Sequence, residues 1–565
     1  MSAPVNANIA RHLGLMAAAQ PARAALKIPR GRTRGGDIDY LSLSFAELDA
    51  EVGAWSARLT AAGVQRGDRT LVMVRQGLPL IASVFALFRV GAVPVVIDPG
   101  MGRKNFLACV ARSQPKALVG IPLAQLLSRF FRTPFRSVRT RVSASGSLTA
   151  RLTKPGAQLL AGSAQTAAVG ATAAATDLAA ILFTSGSTGA PKGVCYEHGM
   201  FDAQVRLIRE TYGIAPGEID LPLLPIFALF NPALGMTTVV PELDPRRPAA
   251  LDPAKIVQAI QQEQVTNSFG SPTLWRKIGD HCRARHLTLP SLRRVLCAGA
   301  AVPDSLWQDS RAWLPHGLLH SPYGATEALP VASISSAEIE PASVKGACVG
   351  RPVHGIDLKI IAITDDPIAT LANARELNPG EVGEIIVHGP VVTKTYDANP
   401  KATATAKIAS GPQPSVTGAQ PDGAAGPWHR LGDCGRLDAA GRLWFHGRKA
   451  ERVESLMGTF HTEPCEQVFR QHARAARCAL IGLGERGSQR PAIVVETKVA
   501  NSSEARALAR ELRLLGLRYE HTATIKLFYF HEKFPVDVRH NAKIHRLTLT
   551  RWASTAVGYE SDPKR

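Results

Sequence analysis

An α/β fold is the class this sequence predicts, on three observations. Helical and strand periods alternate through the first ~100 residues, and the strands are continuous apolar runs of the kind buried on both faces of a parallel sheet. At 565 residues the chain also exceeds what one hydrophobic core supports, so two or more domains are expected.

The elements follow in order. FAELDAEVGAWSARLTAAG (45–63) has the spacing of an amphipathic helix, RTLVMV (69–74) reads as a buried strand, LIASVFALFRVGA (80–92) as a mostly apolar helix, and VPVVIDP (93–99) as a second strand. Such β-α-β units place ligands at the carboxyl ends of their strands. Residues 142–176 are rich in Ser, Ala, Gly and Thr, and 401–427 add proline, so both segments read as flexible loops. After Gly447 the chain becomes a smaller unit, with the boundary near Lys449, giving domains 1–448 and 449–565. No repeat of fixed period is present.

Composition narrows the class. With 45% hydrophobic and 20% charged residues the chain is an ordinary globular protein, and 66 Lys+Arg against 46 Asp+Glu give a net charge of +20 that favours anionic partners. Much of that excess is regional: no acidic residue lies between Asp98 and Asp177, where Arg103, Lys104, Arg112, Lys116, Arg129, Arg132, Arg136, Arg139, Arg141, Arg151 and Lys154 all fall. The region 103–154 is either a solvated basic face or a docking surface for a membrane or partner enzymes. Nucleic acid is not expected, because the basic residues form no known nucleic-acid motif. The eight cysteines include no CxxC pair, which argues against a zinc site and for a reducing compartment. The start MSAPVNANIARHLG lacks a basic segment followed by an apolar core, so a cytoplasmic location is expected. Leu221 to Val240 is uncharged, but three prolines and Asn231 favour a buried strand and loop beside a ligand pocket over a spanning helix.

Four motifs carry chemistry. LAAILFTSGSTGAPKGV (178–194) runs an apolar strand into a Ser/Thr/Gly loop, Thr184, Ser185, Gly186, Ser187, Thr188 and Gly189, closed by Lys192. Backbone N–H groups, hydroxyls and one cation at close quarters suit a polyphosphate, although a plain linker would share the composition. LRRVLCAGAAVP (292–303) ends a strand in a small-residue turn at Gly299 and Ala300, where a flat base can approach the backbone. SPYGATEALP (321–330) offers Tyr323 to stack on a purine, the Gly324 turn, Thr326 for a phosphate, and Glu327 for Mg²⁺. WHRLGDCGRLDAAGRLWFHGRK (428–449) sets Asp433 in a turn, a hairpin around Asp438 to Gly441, and Arg448 at its end; a carboxylate suits the two ribose hydroxyls.

In this order the motifs resemble those of the adenylate-forming superfamily of acyl-CoA synthetases, peptide-synthetase adenylation domains and luciferases. SFAELDAEVGAWSARL, GVQRGDR and GAVPVVIDP resemble its amino-terminal motifs, GEIIVHGPVVTKTYDANP (383–400) its strand-rich subdomain, and PVDVRHNAKIHRL (535–547) its final lysine motif. The resemblance implies a large domain of parallel β-α-β subdomains with a β-rich subdomain, and a small mobile α+β lid that turns about Lys449 to Glu451. It implies ATP and Mg²⁺ as cofactors. Thr184 to Lys192 would hold the β and γ phosphates, Thr326 the α phosphate, Glu327 with Thr184 the metal, and Asp433 and Arg448 the ribose. Lys543 would bridge carboxylate and α phosphate. The scheme is chemically coherent, since a carboxylate attacking an α phosphate needs cations where like charges meet.

Two departures bear on the acyl acceptor. In PIFALFNPALG (225–235) Ala228 stands where the family carries histidine, which makes a roomier acyl pocket of Phe227, Ala228 and Phe230; and Ala542 precedes Lys543 where glycine is usual. With the basic insertion, these features resemble the OleC-type β-lactone synthetases of bacterial olefin biosynthesis. That resemblance implies a long-chain 2-alkyl-3-hydroxy fatty acid, activated as acyl-AMP and closed by its own β-hydroxyl. An acyl-CoA synthetase or fatty acyl-AMP ligase is the alternative. His198 and His540 lie near motifs, but each reads as structural or exposed rather than as the base for ring closure.

Overall fold

In the computed structural model, which describes residues 6–144, 170–184, 190–244, 247–340, 344–411, 426–536 and 544–561, the helix expected over 45–63 forms as Phe45–Ala61. Its start is fixed by a capping box. Ser44 Oγ accepts from the Glu47 N–H at 3.2 Å, and the Glu47 carboxylate accepts from the Ser44 N–H at 2.7 Å. Phe45, Leu48, Val52, Trp55 and Leu59 fall on one face and are buried. The strand Arg69–Met73, the helix Leu78–Arg89 and the strand Val93–Ile97 follow as read.

These strands build a six-stranded sheet in the order Thr140–Ser143, Ala117–Gly120, Arg69–Met73, Val93–Ile97, Leu178–Thr184, Lys192–Glu197. All neighbours are parallel except the last pair, a hairpin whose register sets Thr184 opposite Lys192. A 14-stranded sheet carries the rest of the large unit. Its parallel part includes Asn267–Gly270, Arg294–Cys297 and Leu318–Ala325; the chain then turns antiparallel through Ala328–Ser335, Ala347–Pro352, Leu443–Arg448, Trp428–Leu437 and Gly383–His388. From Val453 onward the described strands pair only with one another, in a two-stranded and a four-stranded sheet over a core of Val468, Phe469, Leu480, Ile493, Leu512 and Phe528. The fold is α/β, with a large N-terminal unit and a small C-terminal one.

Two segments differ from their sequence reading. The loop expected over 401–427 opens with the helix Pro400–Ala406 and the strand Lys407–Ile408, because Asn399 caps the helix by accepting from the Ala402 N–H at 3.1 Å and Pro400 fits its first turn. The segment 142–176 begins inside the strand Thr140–Ser143 and ends tied to the N-terminus, where the Ala7 N–H donates to Ala173 O at 2.9 Å and Asn8 Nδ2 to Ala171 O at 2.8 Å. Residues 145–169 and 412–425 lie outside the described residues. The uncharged stretch 221–240 forms a 3-10 turn Pro225–Leu229, a short helix Asn231–Leu234 and the strand Thr237–Val239; among the described residues no helix is long and apolar enough to cross a membrane. All eight cysteines are free thiols, six of them buried.

Candidate active site

One cavity of about 2950 Å³ runs between the two large sheets and under the small unit. Its walls collect the motifs from distant parts of the chain. Thr184, Lys192, Gly299, Ala300, Tyr323, Gly324, Thr326, Glu327, Asp433 and Arg448 all line it, as do Phe227 and Phe230. Ser185, Gly186, Ser187, Thr188, Gly189, His540 and Lys543 lie outside the described residues; Ile544, directly after Lys543, and Arg546 line the cavity from the small unit.

The Asp433 end of the cavity is set by sheet register. Asp433 and Arg448 face each other on adjacent antiparallel strands, and the guanidinium meets the carboxylate at 2.9 Å. The hairpin between them is closed by Asp438, whose carboxylate accepts from the Ala440 and Arg442 N–H groups at 3.0 and 2.8 Å, with Gly441 at φ +72°. Tyr323 comes from the neighbouring sheet segment and donates its hydroxyl to Asp433 at 2.6 Å. Burial first, then the Asp433 charge, push this phenol well above its ordinary range, and Asp433 raises the Arg448 guanidinium further. Both therefore stay protonated and aim donors at one carboxylate, which fixes its orientation. Gly299 takes φ +98°, the left-handed turn that lets backbone rather than side chain face the cavity.

Lys192 and Glu327 belong to a second polar group. Lys192 Nζ lies 4.9 Å from the centre of the Tyr396 ring, and the Tyr396 hydroxyl donates to Glu327 at 2.8 Å. Glu327 is held from behind: the Thr393 N–H and hydroxyl both donate to its backbone carbonyl, at 2.9 and 3.2 Å. Tyr196 donates its hydroxyl to the Thr326 carbonyl. Beneath them Lys407, only 8% exposed, donates to Thr393 O and Oγ1; burial lowers its amine to about 7, opposed by attraction to Glu327 and assisted by repulsion from Lys192. Among the described residues no group of three or more His, Cys, Asp or Glu gathers as a metal site. A single carboxylate in this setting suits Mg²⁺, which takes one or two protein carboxylates and completes its shell with phosphate oxygens and water. The residues present fit that ion.

Sequence reasoning missed Tyr196, Tyr396, Lys407 and His429. Lys407 and His429 are cross-strand partners, and burial, then Lys407, hold the His429 imidazole well below its ordinary value.

The apolar end has walls of Leu80, Val84, Phe85, Phe88, Phe201, Phe227, Leu229 and Phe230. Phe227 stacks on Phe269 with ring centres 3.6 Å apart. Ala228 does not line the cavity; it is 7% exposed and packs into the core of the large unit. Of the turn Pro225–Leu229 and the following Phe230, every residue but Ala228 lines the cavity. His198 is likewise off the wall: its Nδ1 accepts from the Ile9 N–H at 3.3 Å, its ring meets Phe88 edge-on at 5.9 Å, and burial lowers it to about 4. It is a structural histidine.

A carboxylate clamped by a guanidinium and a phenol, a lysine beside an aromatic ring and a second, lone carboxylate share one cavity with apolar walls, a set of groups that suits an enzyme coupling a nucleotide to an acid. The chain belongs to the AMP-binding enzyme family, whose pattern matches residues 16–397, and it is an ATP-dependent, AMP-forming ligase. It is 43% identical over 560 residues to an olefin β-lactone synthetase of Xanthomonas campestris, covering 97% of each chain, and 42% identical over 563 residues to that of Stenotrophomonas maltophilia, covering 97% of this chain and 98% of the other. Among solved structures, an amide bond synthetase from Marinactinospora thermotolerans superposes with a TM-score of 0.76 at 22% identity, covering 97% of this chain and 99% of that one. The O-succinylbenzoate CoA synthetase of Bacillus subtilis with AMP bound gives 0.72 at 20% identity, covering 98% and 99%. At these identities the structures share the fold alone.

Proposed function

We propose that this enzyme activates a long-chain 2-alkyl-3-hydroxy fatty acid as its acyl-AMP and closes it to a β-lactone, releasing AMP and pyrophosphate, in olefin biosynthesis. The observation that carries this reading is the identity of 43% along 97% of both chains with an olefin β-lactone synthetase. The cavity is consistent with it, because the nucleotide wall continues without a break into aromatic and aliphatic walls that suit two alkyl branches.

The roles follow from the groups available. Asp433, clamped by Tyr323 and Arg448, accepts the ribose hydroxyls. Thr184 and Lys192 hold the outer phosphates, with the residues from Ser185 to Gly189, and Glu327 with Thr184 would hold Mg²⁺, whose charge offsets that of the phosphates. The acid's carboxylate oxygen attacks the α phosphorus and pyrophosphate leaves. The β-hydroxyl oxygen then attacks the carbonyl carbon, the bond from that carbon to the bridging oxygen breaks, AMP departs with the oxygen, and the hydroxyl proton is released. Nucleophile and carbonyl belong to one molecule, so the closure needs orientation only. Lys543 bridges carboxylate and α phosphate, and the small unit turns about Lys449 to Glu451 between the two steps.

Lys543→Ala is expected to slow ATP–pyrophosphate exchange by a hundredfold or more, roughly the loss of one charged contact at the transition state, and to leave ATP binding near wild type. Unchanged exchange would remove the role given to Lys543. The acyl-CoA ligase reading draws on weaker likenesses, such as 29% identity over 448 residues to a feruloyl-CoA synthase of Amycolatopsis. It requires product to depend on added CoA.

A further inference from the structure

The helix Pro122–Phe130 packs on the edge of the six-stranded sheet with Ala124 and Ser128 buried, and Gln125 Nε2 donates to Val142 O at 2.9 Å. Its opposite face is apolar and uncovered. Leu123 is 58% exposed, Leu126 63% and Phe130 77%, and at 100° per residue all three lie on one stripe. Eleven large hydrophobic side chains are exposed among the described residues, and three of them fall on this one helix of nine residues.

The stripe is set in positive charge. Arg103, Lys104, Arg129, Arg132, Arg136 and Arg139 are exposed, and none pairs with a carboxylate among the described residues. Among the described residues of this region the remaining basic side chains are otherwise engaged: Lys116 with Asp68 at 2.8 Å, Arg112 with Pro191 O at 2.8 Å, Arg141 with Ser128 Oγ at 3.1 Å. The same helix also forms cavity wall, since Pro122, Leu123, Ala124 and Leu127 line the cavity. Glu242 and Asp244, which line that cavity too, are matched by Arg32 at 2.6 Å and Arg247 at 3.6 Å.

We propose that this face docks on an anionic lipid bilayer, with Leu123, Leu126 and Phe130 in the boundary between headgroups and acyl chains and the arginines on the headgroup phosphates. An amphipathic helix ringed by cations binds a membrane by this pairing of apolar burial and charge. Leu123 belongs both to the docking stripe and to the cavity wall, so an alkyl chain passes from bilayer to acyl pocket without crossing water. The inference rests on an apolar acyl substrate and not on the fate of its acyl-AMP.

Co-sedimentation of the full-length protein with vesicles tests it without turnover. Binding is expected to phosphatidylglycerol-containing vesicles, to weaken with rising salt, and to be absent with phosphatidylcholine alone. Leu126→Ser with Phe130→Ser, and separately Arg129→Glu with Arg132→Glu, should each reduce the partition coefficient at least tenfold while ATP–pyrophosphate exchange on detergent-dispersed substrate stays at the wild-type rate. Wild-type protein that ignores anionic vesicles, or variants that bind them as well as wild type, would overturn the proposal. So would a face that captures only a protein partner. Loss of lactone formation with vesicle binding intact would count against the function and leave this docking standing.

Discussion

At the scale of single residues the nucleotide site is a set of clamped charges. Asp433 receives Arg448 at 2.9 Å and Tyr323 at 2.6 Å, so its carboxylate is oriented before any ribose arrives. Asp433→Asn keeps the shape and removes the charge. A charge-assisted hydrogen bond contributes about 1.5–3 kcal/mol, so kcat/KM for ATP should fall roughly ten- to a hundredfold, chiefly through KM. Steady-state kinetics with ATP varied would read this, and an unaltered KM would contradict the ribose assignment. Most of these residues could be found in the sequence because each motif is local: Asp438 and Gly441 announce the hairpin that brings Asp433 back to Arg448. Lys407 and His429 could not. Their meeting depends on the pairing of the strand Lys407–Ile408 with Trp428–Leu437, across a segment whose composition carries no periodic signal.

At the scale of elements, the junction between the units is tightly determined. Lys449 pairs with the buried Glu384 at 3.0 Å, and Glu384 also meets Arg430 at 2.6 Å. On the small unit Arg546 makes a forked pair with Glu466, at 2.8 and 2.9 Å, and reaches Glu451 at 2.8 Å. Just before the junction Gly447 takes φ +122°, and a Cβ there would overlap Thr462 Oγ1 on the helix Thr462–Phe469. Gly447→Ala should therefore cost about 2–4 kcal/mol through backbone strain and overpacking. Thr462→Ala in the same chain should recover part of that loss, because the hydroxyl is the nearest obstacle. Chemical denaturation of the single and double variants measures both; additive effects would exclude the contact. The turn Pro225–Leu229 teaches a related lesson. Ala228 is expected in the pocket wall because it stands where the family carries histidine, but it is buried in the core, while Pro225, Ile226, Phe227, Leu229 and Phe230 around it line the cavity.

At the scale of the whole molecule, five wholly or partly buried histidines shape the response to acid. Burial lowers His198, His320 and His461 to about 4 and His446 to about 3, and holds His429 well below the ordinary value of 6.5. The unfolded chain binds these protons near pH 6.5 and the folded one does not, so stability is fully present above that pH and is lost as pH falls toward 4. The melting temperature should drop steeply over this window; a flat profile would mean that these histidines are protonated in the folded state. The overall fold was legible because β-α-β alternation and the order of the motifs are properties of the linear chain. How the cavity joins phosphate wall to acyl wall, and how the helix Pro122–Phe130 flanks it, follow from packing between sheets that no local pattern encodes.

The central claim concerns where the activated acyl group goes, and the product decides it. Incubation of the purified protein with ATP, Mg²⁺ and a long-chain 2-alkyl-3-hydroxy acid, without CoA, should give AMP, pyrophosphate and, by mass spectrometry, a product lighter than the acid by one water. A product that forms only when CoA is added, and carries it, would contradict the account.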